Sequence, residues 1–134
     1  MKVVLDTNVI IAAFATRGLC ADILEVCLEN HSIVISEQIV SEVEKNLSKK
    51  IRLPKKTAHS ITDYLRDVTE IVEPESIDIS VCRDKDDIAI IGTALQGKAE
   101  VIITGDDDLL VLKKYRGIKI ITPREFWIYL KTKN

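Results

Sequence analysis

The stretch Thr104-Gly105-Asp106-Asp107-Asp108-Leu109-Leu110 sets three carboxylates side by side just after the apolar run Val101-Ile102-Ile103. Two unit charges about 6 Å apart repel by roughly 3 kcal/mol at an effective dielectric of about 20, so the crowding costs stability unless something positive sits among the acids. Asp6 stands in the same relation to Val3-Val4-Leu5, and Asp84 and Asp87 lie at the start of an apolar helical pattern in Cys82 to Leu95. At about 100° per residue Asp84 and Asp87 share the side of that helix that carries Ile91 and Leu95, provided the helix extends back to Asp84. Glu42 and Glu44 flank the stripe Ile39, Val40, Val43 and Leu47 on opposite sides, and the helical wheel does not choose between them.

Acids that converge without interleaved Lys or Arg must either take up protons or share a cation. An all-oxygen, carboxylate-rich ligand set suits Mg²⁺ or Mn²⁺, whereas Ca²⁺ usually takes a dedicated loop of the D-x-[DN]-x-[DN]-G type, absent here. On this account Asp106 and Asp108 are ligands or support them, and Asp107 is solvated. Plainer roles compete: Asp84 as a helix N-cap, Asp87 as a first-turn acid favoured by the helix dipole, and Glu42 and Glu44 as solvated surface.

The elements that would position these acids are readable. Val3-Val4-Leu5, Ile33-Val34-Ile35, Val101-Ile102-Ile103 and Ile118 to Ile121 are short β-branched runs suited to buried strands, with Thr69 to Val72 a weaker fifth. Helical patterns cover Ala21 to Glu29, Glu37 to Lys50, Pro54 to Asp67, Asp86 to Gln96, Leu109 to Tyr115 and Pro123 to Leu130. Strands alternating with helices imply an α/β fold with a mainly parallel sheet, and no domain boundary interrupts residues 1–134. In such sheets ligands bind beyond the carboxyl ends of the strands, where Asp6 and Asp106 fall.

Composition narrows the classes. With 134 residues, 46% of them hydrophobic, the chain can bury a core. A net charge of -2 excludes a protein that coats nucleic acid by bulk charge, so any such contact must be a local patch. Cys20, Cys27 and Cys82 form no C-x-x-C pair and fit reduced thiols in a cytoplasmic protein; with only His31 and His59 beside them, zinc is a poor fit. Val9 to Ala15 loosely imitates a signal peptide, but Asp6, Asn8 and Arg17 argue against secretion, and no run reaches the roughly 18 apolar residues of a membrane span.

The segments VVLDTNVII, SEQIVSEVEKNL, CRDKDDIAIIGTAL and VIITGDDDLL together resemble the PIN-domain nucleases, over essentially the whole chain. Cys-Arg-Asp before the third acid and Thr-Gly-Asp-x-Asp-Leu-Leu at the fourth are similar to a prokaryotic branch described as toxins of toxin–antitoxin pairs. The resemblance implies a single domain with a five-stranded parallel sheet of order 3-2-1-4-5, flanked by helices on both faces. It also implies Mg²⁺- or Mn²⁺-dependent cleavage of single-stranded RNA, with a small antitoxin protein as partner; a homo-oligomer is the expected assembly. Residue by residue, Asp6 matches the first acid, Glu42 rather than Glu44 the second, Asp87 the third and Asp106 the fourth. Asp84 is an additional acid of this branch, while Asn8 and Thr104 match its supporting polar residues.

An acidic site must still attract a polyanion. The run Lys45 to Lys56 contains Lys45, Lys49, Lys50, Arg52, Lys55 and Lys56 without an acid, and is the expected phosphate-contact surface. Its competing role is an ordinary solvated helix end. Aromatics make up only 4% of the chain, too few for extensive base stacking. Two other Mg²⁺-binding α/β folds compete with the nuclease. A haloacid-dehalogenase-like phosphatase would want Asp at Asn8 and an acid at Leu110, and a receiver-like signalling module would want adjacent acids after the first strand. A non-cleaving RNA-binding protein is a further alternative.

Overall fold

The structure, a computed structural model, describes residues 1–132. Its elements run β1 (Lys2–Leu5), α1 (Thr7–Ala15), α2 (Leu19–Asn30), β2 (Ser32–Ile35), α3 (Glu37–Lys49), α4 (Lys55–Val68), β3 (Glu70–Ile71), α5 (Lys85–Gly97), β4 (Val101–Ile103), α6 (Asp107–Leu110), β5 (Lys114–Tyr115), β6 (Ile118–Ile121) and α7 (Pro123–Thr132), with a 3-10 turn at Ile79–Val81. The sheet order is β3-β2-β1-β4-β6-β5.

The five expected strands are present, parallel and in the expected order, with Ile118–Ile121 as the strand beside β4. The expected five-stranded, all-parallel sheet is corrected by a sixth strand, β5, which pairs antiparallel with β6 at the edge. The expected helix Leu109 to Tyr115 is corrected with it, because α6 is a single turn ending at Leu110. Lys113 adopts φ 60°, which stops a helix, and Arg116 and Gly117 both have positive φ (47° and 84°). Two consecutive left-handed residues are what a two-residue hairpin matched to strand twist requires, and Gly117 takes its conformation without a Cβ penalty. Val111, which lies within that expected helix, is 72% exposed.

The strands are continuous apolar runs because helices cover them: Val3, Val4, Leu5, Ile33, Val34, Ile35, Val101, Ile102 and Ile103 are all buried. The stretch that imitates a signal peptide forms α1, with Val9, Ile10, Ile11 and Ala13 buried. Helix α3 buries Ile39, Val40, Val43 and Leu47, which leaves its polar side chains on two separate faces.

The polarity of the sheet decides where a site can form. From β1 the chain proceeds outward to β2 and β3, and from β4 to β6, so the order reverses between adjacent β1 and β4. Hydrogen bonds continue the pairing one residue past the strands: Asp6 N–H donates to the Ile103 carbonyl at 3.1 Å and Thr104 N–H to the Ile121 carbonyl at 3.0 Å. Asp6 and Thr104 are thereby fixed at the switch point, where a crevice opens in folds of this kind.

Helix α5, which carries Asp87, is clamped by close backbone approach. A Cβ added at Gly92 would lie 2.3 Å from the Glu75 carbonyl oxygen, and Glu75 N–H donates to the Gly92 carbonyl at 2.9 Å. Gly92→Ala gains helix propensity of about 1 kcal/mol, but the clash is with backbone rather than a yielding side chain, so a net loss of about 1–2 kcal/mol is expected. Gly105→Ala, with nothing within 4 Å, serves as the neutral control. Denaturant midpoints check this, and equal stability of the two variants would refute the clamp.

Candidate active site

Three of the acids at the switch point are also helix N-caps, which fixes their carboxylates locally. Asp6 caps α1, its Oδ1 accepting from Val9 N–H at 3.0 Å. Asp84 caps α5 by accepting from Asp86 N–H at 2.8 Å, and Asp106 caps α6 by accepting from Asp108 N–H at 2.9 Å. Each cap satisfies a backbone donor that the helix leaves free. The Thr104 hydroxyl, wholly buried, donates to Asp6 Oδ2 and accepts from Asp106 N–H at 3.0 Å.

Asp6, Asn8, Glu42, Asp84, Asp87 and Asp106 line one cleft of about 200 Å³. One oxygen each from Asp87, Asp106 and Asp108 lie within 4.8 Å of one another. Asp6, Glu42 and Asp84 share the cleft but stand outside that close triad. Asp108 is additionally held by Arg83, whose exposed guanidinium lies 3.2 Å from it. Asp107 is exposed, as expected from the sequence.

The structure decides between the two glutamates of α3. Glu42 faces the cleft, whereas Glu44 faces α4, where it accepts from the Thr62 hydroxyl at 2.8 Å and lies 3.1 Å from His59 Nδ1. Those two hydrogen bonds, Thr62 before His59, lower the Glu44 pKa.

Gln38 and Asn46, which the sequence reading passed over, also line the cleft, and so does Asp86. Their signal was present in the chain: Gln38, Glu42, Asn46 and Lys50 recur every four residues, which makes one helical stripe beside the apolar one. The basic run does not form a single surface. Lys50 lines the acidic cleft, while Lys45, Lys49, Lys55 and Lys56 line a separate groove between α3 and α4. Arg52 sits in the intervening loop at φ 64°.

Asp87 is the acid most at odds with its surroundings. It is only 5% exposed, its Oδ2 has no hydrogen-bond partner, and its pKa is raised to about 7. Burial is the main cause, followed by a hydrogen bond with Asp106 and the charges of Asp106, Asp84 and Asp108. Burial also raises Asp6, against the Thr104 and Val9 hydrogen bonds that favour its ionised form. A buried Oδ2 without a hydrogen-bond partner, beside two further carboxylates, fits a hard divalent cation, which would satisfy that oxygen and offset the repulsion together. Asp87, Asp106 and Asp108 are the residues that fit it.

Since the folded state keeps a proton on Asp87 up to about pH 7 while an unfolded Asp releases it near pH 4, this group favours folding most at low pH and loses that contribution as pH rises through the interval. With chelator present, the stability of Asp87→Asn should therefore fall less than that of wild type between about pH 4.5 and 8. The variant should be the more stable of the two at the upper end. Chemical denaturation across that range reads the difference, and parallel curves would remove Asp87 from the repelling cluster.

The PIN domain family profile matches residues 2–108. No curated protein matches the chain. Among solved structures it is similar to VapBC2 from Rickettsia felis bound to a DNA fragment from its promoter (TM-score 0.65, 19% identity, 91% of this chain and 98% of that one). It is also similar to VapBC-1 from nontypeable Haemophilus influenzae (TM-score 0.64, 18% identity, 92% and 99%) and to a toxin–antitoxin complex from Klebsiella pneumoniae (TM-score 0.61, 23% identity, 90% and 97%). At these identities the structural likeness speaks for the fold, while the family profile spans most of the chain and takes in every acid of the cleft; the chain belongs to the PIN domain family.

Proposed function

We propose that this protein is a Mg²⁺- or Mn²⁺-dependent endoribonuclease that hydrolyses phosphodiester bonds of single-stranded RNA, and that it is the toxin of a toxin–antitoxin pair held in check by a small antitoxin protein. The observation that carries the nuclease assignment is the buried, unpartnered oxygen of Asp87 beside Asp106 and Asp108 at the β1/β4 switch point. Family membership supports the reaction class, and the toxin–antitoxin complexes among the similar folds support the partner.

A divalent cation held by such carboxylates supplies charge neutralisation at the phosphate and leaving oxygen and makes a water easier to deprotonate. The chain's own groups do the rest. Asp87, Asp106 and Asp108 offer the ligand oxygens, with Asp6 and Asp84 at the same cleft. Thr104 holds Asp6 and Asp106 in register, the supporting role in which hydrogen bonds orient ligating carboxylates. Asn8 lines the cleft one turn position into α1 and supplies an amide beside Asp6. Glu42 enters the same cleft from α3 and suits the orientation and deprotonation of a water. No side-chain nucleophile is required.

The purified protein should cut single-stranded RNA in Mg²⁺ or Mn²⁺ and stop on chelation, with Asp106→Asn or Asp87→Asn reducing turnover about a hundredfold or more. Gel analysis of a labelled strand checks this. Cutting that survives the chelator or Asp6→Asn would sink the metal mechanism, and binding without cutting in either metal would favour a non-cleaving RNA-binding protein. In cells, expression should arrest growth, and co-expression of a neighbouring gene product should relieve the arrest if the toxin assignment is right.

A cation that binds only the folded state should raise stability by about 2.7 kcal/mol at one hundred times its dissociation constant. Thermal melts in a Mn²⁺ series should show this for wild type and a weakened response for Asp106→Asn. An identical titration in the two proteins would place Asp106 outside the metal site.

A further inference from the structure

The expected phosphate-contact run divides between two places, and the larger share of it lines a groove separate from the acidic cleft. Lys45 and Lys49 of α3 and Lys55 and Lys56 of α4 line a groove of about 670 Å³ together with the hydroxyl residues Ser41 and Ser48. We propose that this lysine groove is a second polyanion site, which holds the phosphodiester backbone of the RNA strand beyond the nucleotides that enter the acidic cleft. The identity of the strand rests on the endoribonuclease assignment; the groove's capacity for a polyanion does not.

Four ammonium groups from two helices converge there in a chain whose net charge is -2. Among the described residues none of the four lies within 4.0 Å of a carboxylate. Glu44 is the one carboxylate lining the groove, and it is already engaged by Thr62 and His59. Lys55 and Lys56 also stand in the first turn of α4, which has no acid and no side-chain cap. Cations at a helix start are unfavourable by the dipole, and an anion in the groove would offset that cost.

Continuity with the cleft favours a nucleic-acid strand over an acidic polypeptide. At about 100° per residue, Lys45 and Lys49 lie roughly 60° and 20° round α3 from Glu42, on the groove side, and Lys50 lies roughly 80° round on the other side. A strand leaving the cleft past Glu42 therefore crosses α3 over Lys49 and Lys45 into the groove. Cations accompany its phosphates the whole way, while the acids meet only the segment to be cut.

The test uses the full chain and a variant carrying Lys45→Gln, Lys49→Gln, Lys55→Gln and Lys56→Gln. Binding of a labelled oligoribonucleotide of about 20 nucleotides is measured in chelator across a salt series, where the bare acids repel the strand and the groove must act alone. The expected result is an affinity at least about tenfold lower for the variant and a log–log salt slope flatter by up to about 2.8, at about 0.7 per lost contact. Its melting temperature should be no lower than that of wild type, since the variant removes cations from the start of α4, and its Mn²⁺ titration should match wild type, which separates the effect from misfolding and from the metal site. Equal affinity and slope in the two proteins would overturn the groove. If wild type cleaves and the variant binds and cleaves identically, the groove fails and the nuclease stands. If wild type never cleaves but binds RNA through these lysines, the nuclease fails and the groove stands. Binding of polyglutamate through the lysines with none of RNA would overturn the strand assignment.

Discussion

The Thr104 hydroxyl is the joint on which the site depends. It lies at the end of β4, donates to Asp6 at the end of β1 and accepts from the backbone N–H of Asp106, so one buried group sets the spacing of two acids 100 residues apart in sequence. The neighbouring backbone bonds, Asp6 N–H to Ile103 and Thr104 N–H to Ile121, fasten that joint to three parallel strands. Such precision is available because the central strands on either side of it bury Val3, Val4, Leu5, Val101, Ile102 and Ile103 in a close-packed core.

Capping and metal binding need not be competing roles for these acids. Asp6, Asp84 and Asp106 each spend one oxygen on a helix N-terminus, where a carboxylate is stabilised and its direction fixed. For Asp84 and Asp106 this leaves the second oxygen free of the cap. Asp87 has no such support: it enters the cleft from inside the first turn of α5, buried and short of a partner, and its raised pKa records the cost. The fold thus tolerates three acids by local hydrogen bonding and leaves a fourth whose charge calls for a cation. Helix α3 presents the polar stripe Gln38, Glu42, Asn46 and Lys50 to the cleft and Lys45 and Lys49 to the groove, so one helix separates the acidic cleft from the lysine groove.

Much of this was legible in the chain because it follows from short-range patterns. Continuous β-branched runs marked the buried strands, and an acid just past the end of each of β1 and β4 marked the switch point. What escaped depends on partners distant in sequence or on single backbone angles. The wheel could not separate Glu42 from Glu44, since the choice is made by Thr62 and His59, 18 and 15 residues from Glu44. Helix α1 was obscured because Asp6 and Asn8 interrupt the apolar pattern, although Asp6 is the residue that caps it. The β5 hairpin turns on left-handed conformations at Arg116 and Gly117, and Lys114-Tyr115 alone does not look like a strand. The basic run looked like one surface because sequence proximity hides the third of a turn that separates Lys50 from Lys49 and its neighbours.

The central claim is that Asp87, Asp106 and Asp108 together hold a divalent cation. Its most direct test is anomalous scattering from crystals of the protein grown with Mn²⁺. The account predicts a peak within direct coordination distance of Asp87, Asp106 and Asp108, with the free oxygen of Asp87 turned to the ion. Well-ordered crystals with Mn²⁺ only on the outer surface, or with the cleft filled by a lysine or arginine side chain in place of the ion, would contradict it.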